Sequence, residues 1–579
     1  MLCNIDQSLI KDARRILTLL CFASRPLTLR ELIDGIAVEI NEPKGLNKRC
    51  RLEDYNDIHN ICPGFININL AAEHTSETYI EMNLWSTVQI AHFSVQEYLE
   101  SDRIRHQKAD IFSLSSVRAH AEIAQICLVY LLERDLSKPE LDVSILKEYP
   151  LARFAAMYWY HHYQRTVDLA SEVDHFISRL FQQKTSFITW VKLHDMDKGG
   201  GSIDLNRRSD NIAGPVYYIS LLGLDKALYD FISIQQLESS ELPAKSSSSV
   251  LEVSKLINAQ GGFFHNALCA ASDRGHEKTV QLLLDSGADF HPPVEWVHDA
   301  LYLASGHGHD KIIRLLFDKG AEIHAQPGHF GNALQVASLR GREKTVQLLL
   351  DRGANVNAQG GFHTYALQAA SFEGHKEIVQ LLLDRGADVN APGGKYGNAL
   401  QAASHFGYKE VVQLLLDRGA DVNAQGGHYW DVLQAASAKG HEEVAKLLLD
   451  RGADVNAQGG EYRNALIAAS AHGREEVVQL LLDRGADVNT QDGRGRNALQ
   501  AAVDGGHEEV ADLLLDRGAD VNTRRHDALQ AASAGGHEEV LQRPPDNGAT
   551  DPRLEMWLKM KIDPSYRTLR YFVKTRTIN

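Results

Sequence analysis

The sequence predicts a mainly α-helical protein, a solenoid of helix pairs preceded by a winged-helix domain and a helical region. Three observations carry that prediction. One phrase recurs at Ala267, Ala300, Ala333, Ala366, Ala399, Val432, Ala465, Ala498 and Ala528, with a period of 33 residues until a last step of 30. A fixed period of this size marks stacked repeats. Ahead of it, two helical stretches and a late pair of strand-like runs have the element order of a small winged helix. No apolar run approaches the length of a membrane span, so no membrane partner is expected.

Composition narrows the function classes. The 579 residues carry a formal net charge of −16, which argues against a general affinity for nucleic acid, since phosphate binding needs clustered Lys and Arg. The six cysteines are scattered and form no Cys-x-x-Cys pair, which fits a reducing compartment. The apolar run Ile16 to Ala23 is short and follows Lys11, Asp12, Arg14 and Arg15, the wrong layout for a signal peptide. A cytoplasmic protein is expected, with a nuclear location as the alternative.

In chain order, Leu9, Ile10, Ala13, Ile16, Leu17 and Leu20 recur at helical steps, and Pro26 stops that helix. Thr28 and Glu31 form a capping box that should start a helix from Leu29 to Ile40. Strands are expected at Phe65 to Leu70 and Val88 to Phe93. Glu31, Asp34 and Glu39 make the candidate recognition helix acidic, against DNA reading. In the stretch after His92, Phe93, Val95, Tyr98 and Leu99 are expected to fill a core. Residues 117 to 192 read as helices; His161 and His162 are neighbours on one of them, point about 100° apart, and are expected to pack and not to share a metal.

Ile16-Leu17-Thr18-Leu19-Leu20-Cys21-Phe22-Ala23 with Arg25-Pro26-Leu27-Thr28, and later His92-Phe93-Ser94-Val95-Gln96-Glu97-Tyr98-Leu99, resemble the winged-helix segment that follows the NTPase in fungal NACHT–ankyrin receptors of the STAND class. The resemblance continues through Ala119 to Ala124 and Tyr149 to Ala156. It implies an intramolecular packing role for the winged helix, packing on the array included. The family's nucleotide-binding domain would lie before this segment, and Met1 leaves no room for it. Gly275 to Thr279 and Gly341 to Thr345 lack the glycine that a P-loop places before its Lys. No cofactor is expected.

Within one repeat, Asn398 caps a helix starting at Ala399, and Gln401 is expected to reach back as in a capping box. Asn or Asp holds the cap in eight of nine copies, with Tyr365 the exception. Gly407 ends this first helix; Val411, Val412, Leu414, Leu415 and Leu416 give the second its apolar stripe, and Gly419 stops it. Residues 215 to 232 echo the unit through Gly223, with Leu237 to Ser249 as an inserted loop. The period and the phrase Leu-Leu-Leu-Asp-Arg-Gly-Ala-Asp-Val-Asn resemble the ankyrin repeat. The Thr-Pro-Leu-His opening of that family is replaced here by Asn-Ala-Leu-Gln, so the inter-repeat bonding of its His must be substituted or lost. Arg543-Pro544-Pro545 should end the array. The expected division is 1–105 winged helix, 106–200 helical region, 201–257 degenerate capping repeat with the Ser-rich insertion, 258–550 array and 551–579 basic tail.

No catalytic constellation is found: Gly-x-Ser-x-Gly, His-Glu-x-x-His, Cys-x-x-Cys sets and a Walker A are all missing from the sequence, so a non-enzymatic scaffold with a protein partner is expected, taking no small molecule. The histidines at His276, His309, His375, His441, His507 and His537 hold one position of the unit, one or two repeats apart, and are read as helix-start residues, not metal ligands. Candidate partner-binding residues lie where the copies differ. At the finger before each cap these are Phe264, Trp296, Phe330, Phe362, Tyr396, Tyr429 and Tyr462, then Arg494, Arg496, Arg524 and Arg525. At the end of the first helix they are Arg340, Phe372, Phe406 and Lys439. The resemblance puts both positions on the concave side, and aromatic and Arg side chains are typical interface anchors. Stacking of the finger rings on one another is the alternative.

Overall fold

The computed structural model describes residues 2, 5–40, 45–52, 55–69, 86–105, 109–137, 143–166, 169–197, 203–240, 248–290, 299–323, 331–492 and 495–520. Two units divide the chain, Met1–Pro293 and Val294–Asn579. Trp296, Phe330, Arg494, Arg524 and Arg525, the ninth copy with its prolines, and the basic tail lie outside the described residues.

In the first unit, α1 (Ile10–Phe22) ends before Pro26, and α2 (Leu29–Ala37) starts from the predicted Thr28–Glu31 capping box. The segment expected to continue the second helix to Ile40 instead becomes a ribbon of β2 (Val38–Glu39) against β3 (Gly45–Leu46). The two predicted strands are β4 (Ile66–Asn69) and β5 (Thr87–Ile90); β1 (Leu27–Thr28) adds to them in the antiparallel order β1-β5-β4. A two-residue strand has no readable alternation, so β1 was invisible in the sequence. Between the ribbon and β4 lies α3 (Tyr55–Ile61). After β5, His92 caps α4 (Phe93–Glu100), and the core expectation there is corrected: Leu99 is buried, whereas Phe93 is 67% exposed. An eight-residue helix seats one stripe, and Phe93 falls off it.

The acidic character of α2 has another origin than an outward face. Glu31 and Asp34 are buried. Arg25 pairs with Glu31 at 2.5 Å and Arg51 with Asp34 at 2.7 Å, while Tyr130 of the helical region donates its hydroxyl to Asp34. Buried carboxylates are retained only when paired in this way. The Tyr130–Asp34 bond ties α2 to the helical region, which is built from α5 (Ser116–Leu131), α6 (Val143–Glu148), α7 (Ala152–Tyr163), α8 (Ala170–Gln182) and α9 (Lys184–Leu193). His162 packs as expected. It is fully buried, its Nδ1 lies 2.8 Å from His120 Nδ1, and its Nε2 lies 3.2 Å from Ser24 Oγ. Burial holds both imidazoles well below their usual pKa, so the pair is neutral and one ring donates to the other.

The worn repeat at 215–232 is a true stacking partner. Its first helix, Pro215–Leu222, ends in left-handed Gly223, and His276 Nε2 donates to Leu221 O at 3.1 Å. Its second helix, Asp225–Ser240, runs into the stretch read as an inserted loop, and a further helix, Ser248–Ile257, lies where that insertion was expected to end. Ser239 and Ser240 end the first of these helices and Ser248 and Ser249 open the second, so serines at helix ends do not by themselves mark a loop. The next pair, Ala267–Arg274 and Glu277–Asp285, completes the described repeats of this unit.

Among the described residues of the second unit seven helix pairs follow, from Ala300–His307 and Asp310–Asp318 to Ala498–Gly505 and Glu508–Asp516. Every Asn or Asp cap among them accepts from the N–H three residues on, as Asn398 does from Gln401 at 2.8 Å, and Tyr365 makes no such bond. The Gln expectation is corrected. Gln335 reaches back to Asn332 N at 2.8 Å, but Gln335, Gln368, Gln401 and Gln434 turn forward to finger carbonyls of the next repeat, Thr364 O at 2.8 Å, Ala391 O at 3.0 Å, Trp430 O at 3.1 Å and Gly459 O at 3.2 Å. Finger carbonyls such as Thr364 O and Trp430 O already accept one backbone N–H within their own hairpin and have a second lone pair, which the Gln amide of the preceding repeat fills. The inter-repeat bond is thereby substituted.

Three further bonds recur across the interfaces. Asn423 Nδ2 donates to Gly452 O at 3.1 Å and its Oδ1 accepts from Asp454 N at 2.9 Å, a staple repeated at Asn357, Asn390, Asn456 and Asn489. His375, His441 and His507 place Nε2 within 3.1, 3.0 and 3.3 Å of the last carbonyls of the preceding first helix. Arg418–Asp384 at 2.9 Å and Arg451–Asp417 at 2.8 Å belong to a ladder of ion pairs one repeat apart. The shared words of the repeat are thus mostly interface chemistry.

Candidate functional site

The fully described fingers are tight hairpins closed by their own backbone: Gly393 N donates to Gly397 O at 2.6 Å, Gly426 N to Trp430 O at 2.7 Å and Gly459 N to Arg463 O at 2.8 Å. In most described fingers the residue just before the cap takes a left-handed conformation; before Asn497 it is Gly495, one residue earlier, that does so. Glycine does so at Gly331 and Gly397, but Thr364 (φ 63°), Trp430 (φ 68°) and Arg463 (φ 67°) do so too. A bulky or β-branched residue there is strained by about 1 kcal/mol or more. The hairpin holds its tip residue, Tyr396, Tyr429 or Tyr462, beside the C-terminal end of the first helices.

From this geometry a continuous aromatic band arises in the second unit. Phe362 lies 5.1 Å from His363, centroid to centroid, and His363 lies 4.6 Å from Phe372. Phe372 meets Tyr396 at 5.3 Å and Phe406 at 4.6 Å. His405 then bridges Tyr396 at 5.1 Å and Tyr429 at 4.9 Å. Tyr462 pairs with His472 at 5.3 Å. These are tilted and edge-on contacts of the favourable kind. Phe362 is 58% exposed, and Phe372, Tyr396, Phe406, Tyr429 and Tyr462 are half-buried, so the rings stack on one another and still face solvent.

The other candidates differ in setting. Phe264 belongs to the first unit, where its N–H donates to Tyr217 Oη at 3.2 Å, Phe263 packs edge-on at 5.1 Å and Arg274 lies 5.6 Å above its ring. Arg340 and Lys439 are exposed at helix ends. Arg496 pairs with Asp492 at 2.9 Å and Asp504 at 3.4 Å, so its charge is neutralised locally. Two band members, His363 and Lys395, escaped the sequence reading, while His405 stood beside Phe406 among the varying residues at the helix end. His363 sits among rings chosen for being Phe or Tyr, and Lys395 lies 5.7 Å over Tyr396. Their positions in the finger were the available signal. Burial lowers the pKa of His405 to about 4, keeping the bridging ring neutral.

A family model for "Ankyrin repeats (3 copies)" matches residues 251–327, 267–360, 334–426, 425–492 and 466–543. The model "GPI inositol-deacylase, winged helix domain" matches residues 1–114. Among curated proteins, the chain is 44% identical over 293 residues to "Azaphilone pigments biosynthesis cluster protein L" from Monascus ruber, covering 50% of this chain and 58% of that relative's length. Among solved structures, the human ASB11 ankyrin repeat domain is similar at 24% identity with a TM-score of 0.35, covering 38% of this chain and 99% of that one. Among the described residues no helix is long and apolar enough to cross a membrane.

Proposed function

Because the chain belongs to the ankyrin-repeat family, a protein–protein interaction module, we propose that it is a non-enzymatic recognition scaffold whose partner protein docks on the finger and first-helix side of the array. The observation that carries this reading is the half-exposed ring band from Phe362 to Tyr429. Rings already locked by their neighbours lose little conformational freedom on binding, which favours them as anchors. The strained residues Thr364, Trp430 and Arg463 hold the fingers that present these rings, and such strain gathers where geometry serves function.

The test is a pull-down with the full chain and with Tyr396→Ala/Tyr429→Ala/Tyr462→Ala. Loss of at least 80% of the captured partners, roughly the effect of removing several anchors worth about 1–2 kcal/mol each, is expected; equal recovery by both proteins would sink the reading. A role within intracellular NLR-like signalling, as part or regulator of a STAND NTPase receptor, is the second reading. It rests on the sequence resemblance of the segments Ile16 to Thr28 and His92 to Leu99, and a reading frame extending upstream of Met1 into a P-loop would move the protein to that class.

A further inference from the structure

The ring band has a pitch, and a pitch selects a ligand conformation. Ring positions recur once per repeat, and packed helices are spaced roughly 8–10 Å apart. A single imidazole, that of His405, spans the gap from Tyr396 at 5.1 Å to Tyr429 at 4.9 Å. A polyproline II segment returns the same face every three residues, about 9.3 Å. A β-strand returns it about every 6.8 Å and falls out of step within two repeats. The fingers also offer little for strand addition, because Gly393, Gly426 and His428 already spend their N–H groups on Gly397, Trp430 and Lys395 carbonyls. A ligand whose backbone needs no partner fits such a surface.

Charge decides the rest. Arg340, Lys395, Lys439 and Arg463 are exposed along the band, against Glu373 and Glu461. Four cations facing two anions make this side locally positive in a chain of net charge −16, and complementarity then calls for carboxylates on the partner. Resting on the protein-binding reading above, we propose that the band holds an extended, proline-rich protein segment bearing acidic side chains, one contact face per repeat, with the carboxylates toward Lys395 and Lys439.

Fluorescence anisotropy of the full chain with labelled (Pro-Pro-Glu)6, (Gly-Gly-Glu)6 and (Pro-Pro-Lys)6 tests this. The first peptide should bind at least tenfold more tightly than either of the others, and Tyr396→Ala/Tyr429→Ala should weaken it at least tenfold. The variant Lys395→Glu/Lys439→Glu leaves every ring in place and should invert the preference in favour of (Pro-Pro-Lys)6. Absence of binding by (Pro-Pro-Glu)6, or equal binding by (Gly-Gly-Glu)6, overturns the proposal. If the peptide fails while the triple Tyr variant still loses its pulled-down partners, the protein-binding reading stands and only the ligand class falls.

Discussion

Asp431 occupies a cap that Asn holds in the flanking repeats, at Asn398 and Asn464. It accepts from Gln434 N at 2.8 Å and from Gln434 Nε2 at 2.7 Å, yet burial raises its pKa to about 6 from the ordinary 3.8. The folded protein therefore binds the proton more readily than the unfolded chain between these values. Stability from this group is present below 3.8 and is lost as pH rises through 6. Asp431→Asn should consequently raise stability at pH 7.5 by about 1–2 kcal/mol, seen as a higher urea midpoint, and by much less at pH 4.5. A gain that grows toward pH 4.5 would contradict the assignment.

At the scale of the element, two glycines of one repeat have different duties. Gly407 ends a first helix at φ +78°, and a Cβ there would lie 2.5 Å from His441 Nδ1. Gly419 ends the second helix at φ +86° with nothing within 4 Å of a Cβ. The backbone cost of Ala at positive φ is roughly 1 kcal/mol in both. Gly407→Ala must in addition displace the imidazole that donates to His405 O at 3.0 Å, so it should cost about 3 kcal/mol. Thermal melts of the two variants check the difference; equal shifts would show that the His441 contact is slack. The sequence displayed both glycines and the recurring histidines as helix punctuation. It did not display that the histidine of one repeat sits under the glycine of the one before, because that contact joins residues 34 apart.

For the molecule as a whole, stability is a sum over interfaces, stitched among the described repeats by Asn staples, His or Arg latches and ion pairs. The exposed ion pairs are worth little singly, but Asp351, Asp384, Asp417 and Asp483 have lowered pKa values through hydrogen bonds from the Gln side chain four residues before and from the Arg of the next repeat. Their contribution is present above 3.8 and lost as pH falls through the lowered values. Removing a staple should have a local effect. Asn423→Ala loses the bonds to Gly452 O and Asp454 N, which should cost about 1 kcal/mol. Hydrogen exchange should show reduced protection in the repeats flanking that interface, with protection in residues 5–240 unchanged. Loss spread evenly over the chain would mean that the repeats do not behave as neighbours.

The sequence by itself determined the repeat count per period, the caps, the stops and the winged-helix capping box, because these depend on residues within one turn or one period of each other. It also located the positions where copies differ, so most of the ring band was legible as a set of sites. Only the tertiary structure decided that Gln turns forward, that Glu31 and Asp34 are buried in ion pairs, that Arg496 is neutralised, and that His363, His405 and Lys395 complete the band. The physical reason is the same in each case. A side chain with several reachable partners takes the one that stacking brings close and desolvates, and that choice is made across a repeat or domain interface which local sequence does not encode.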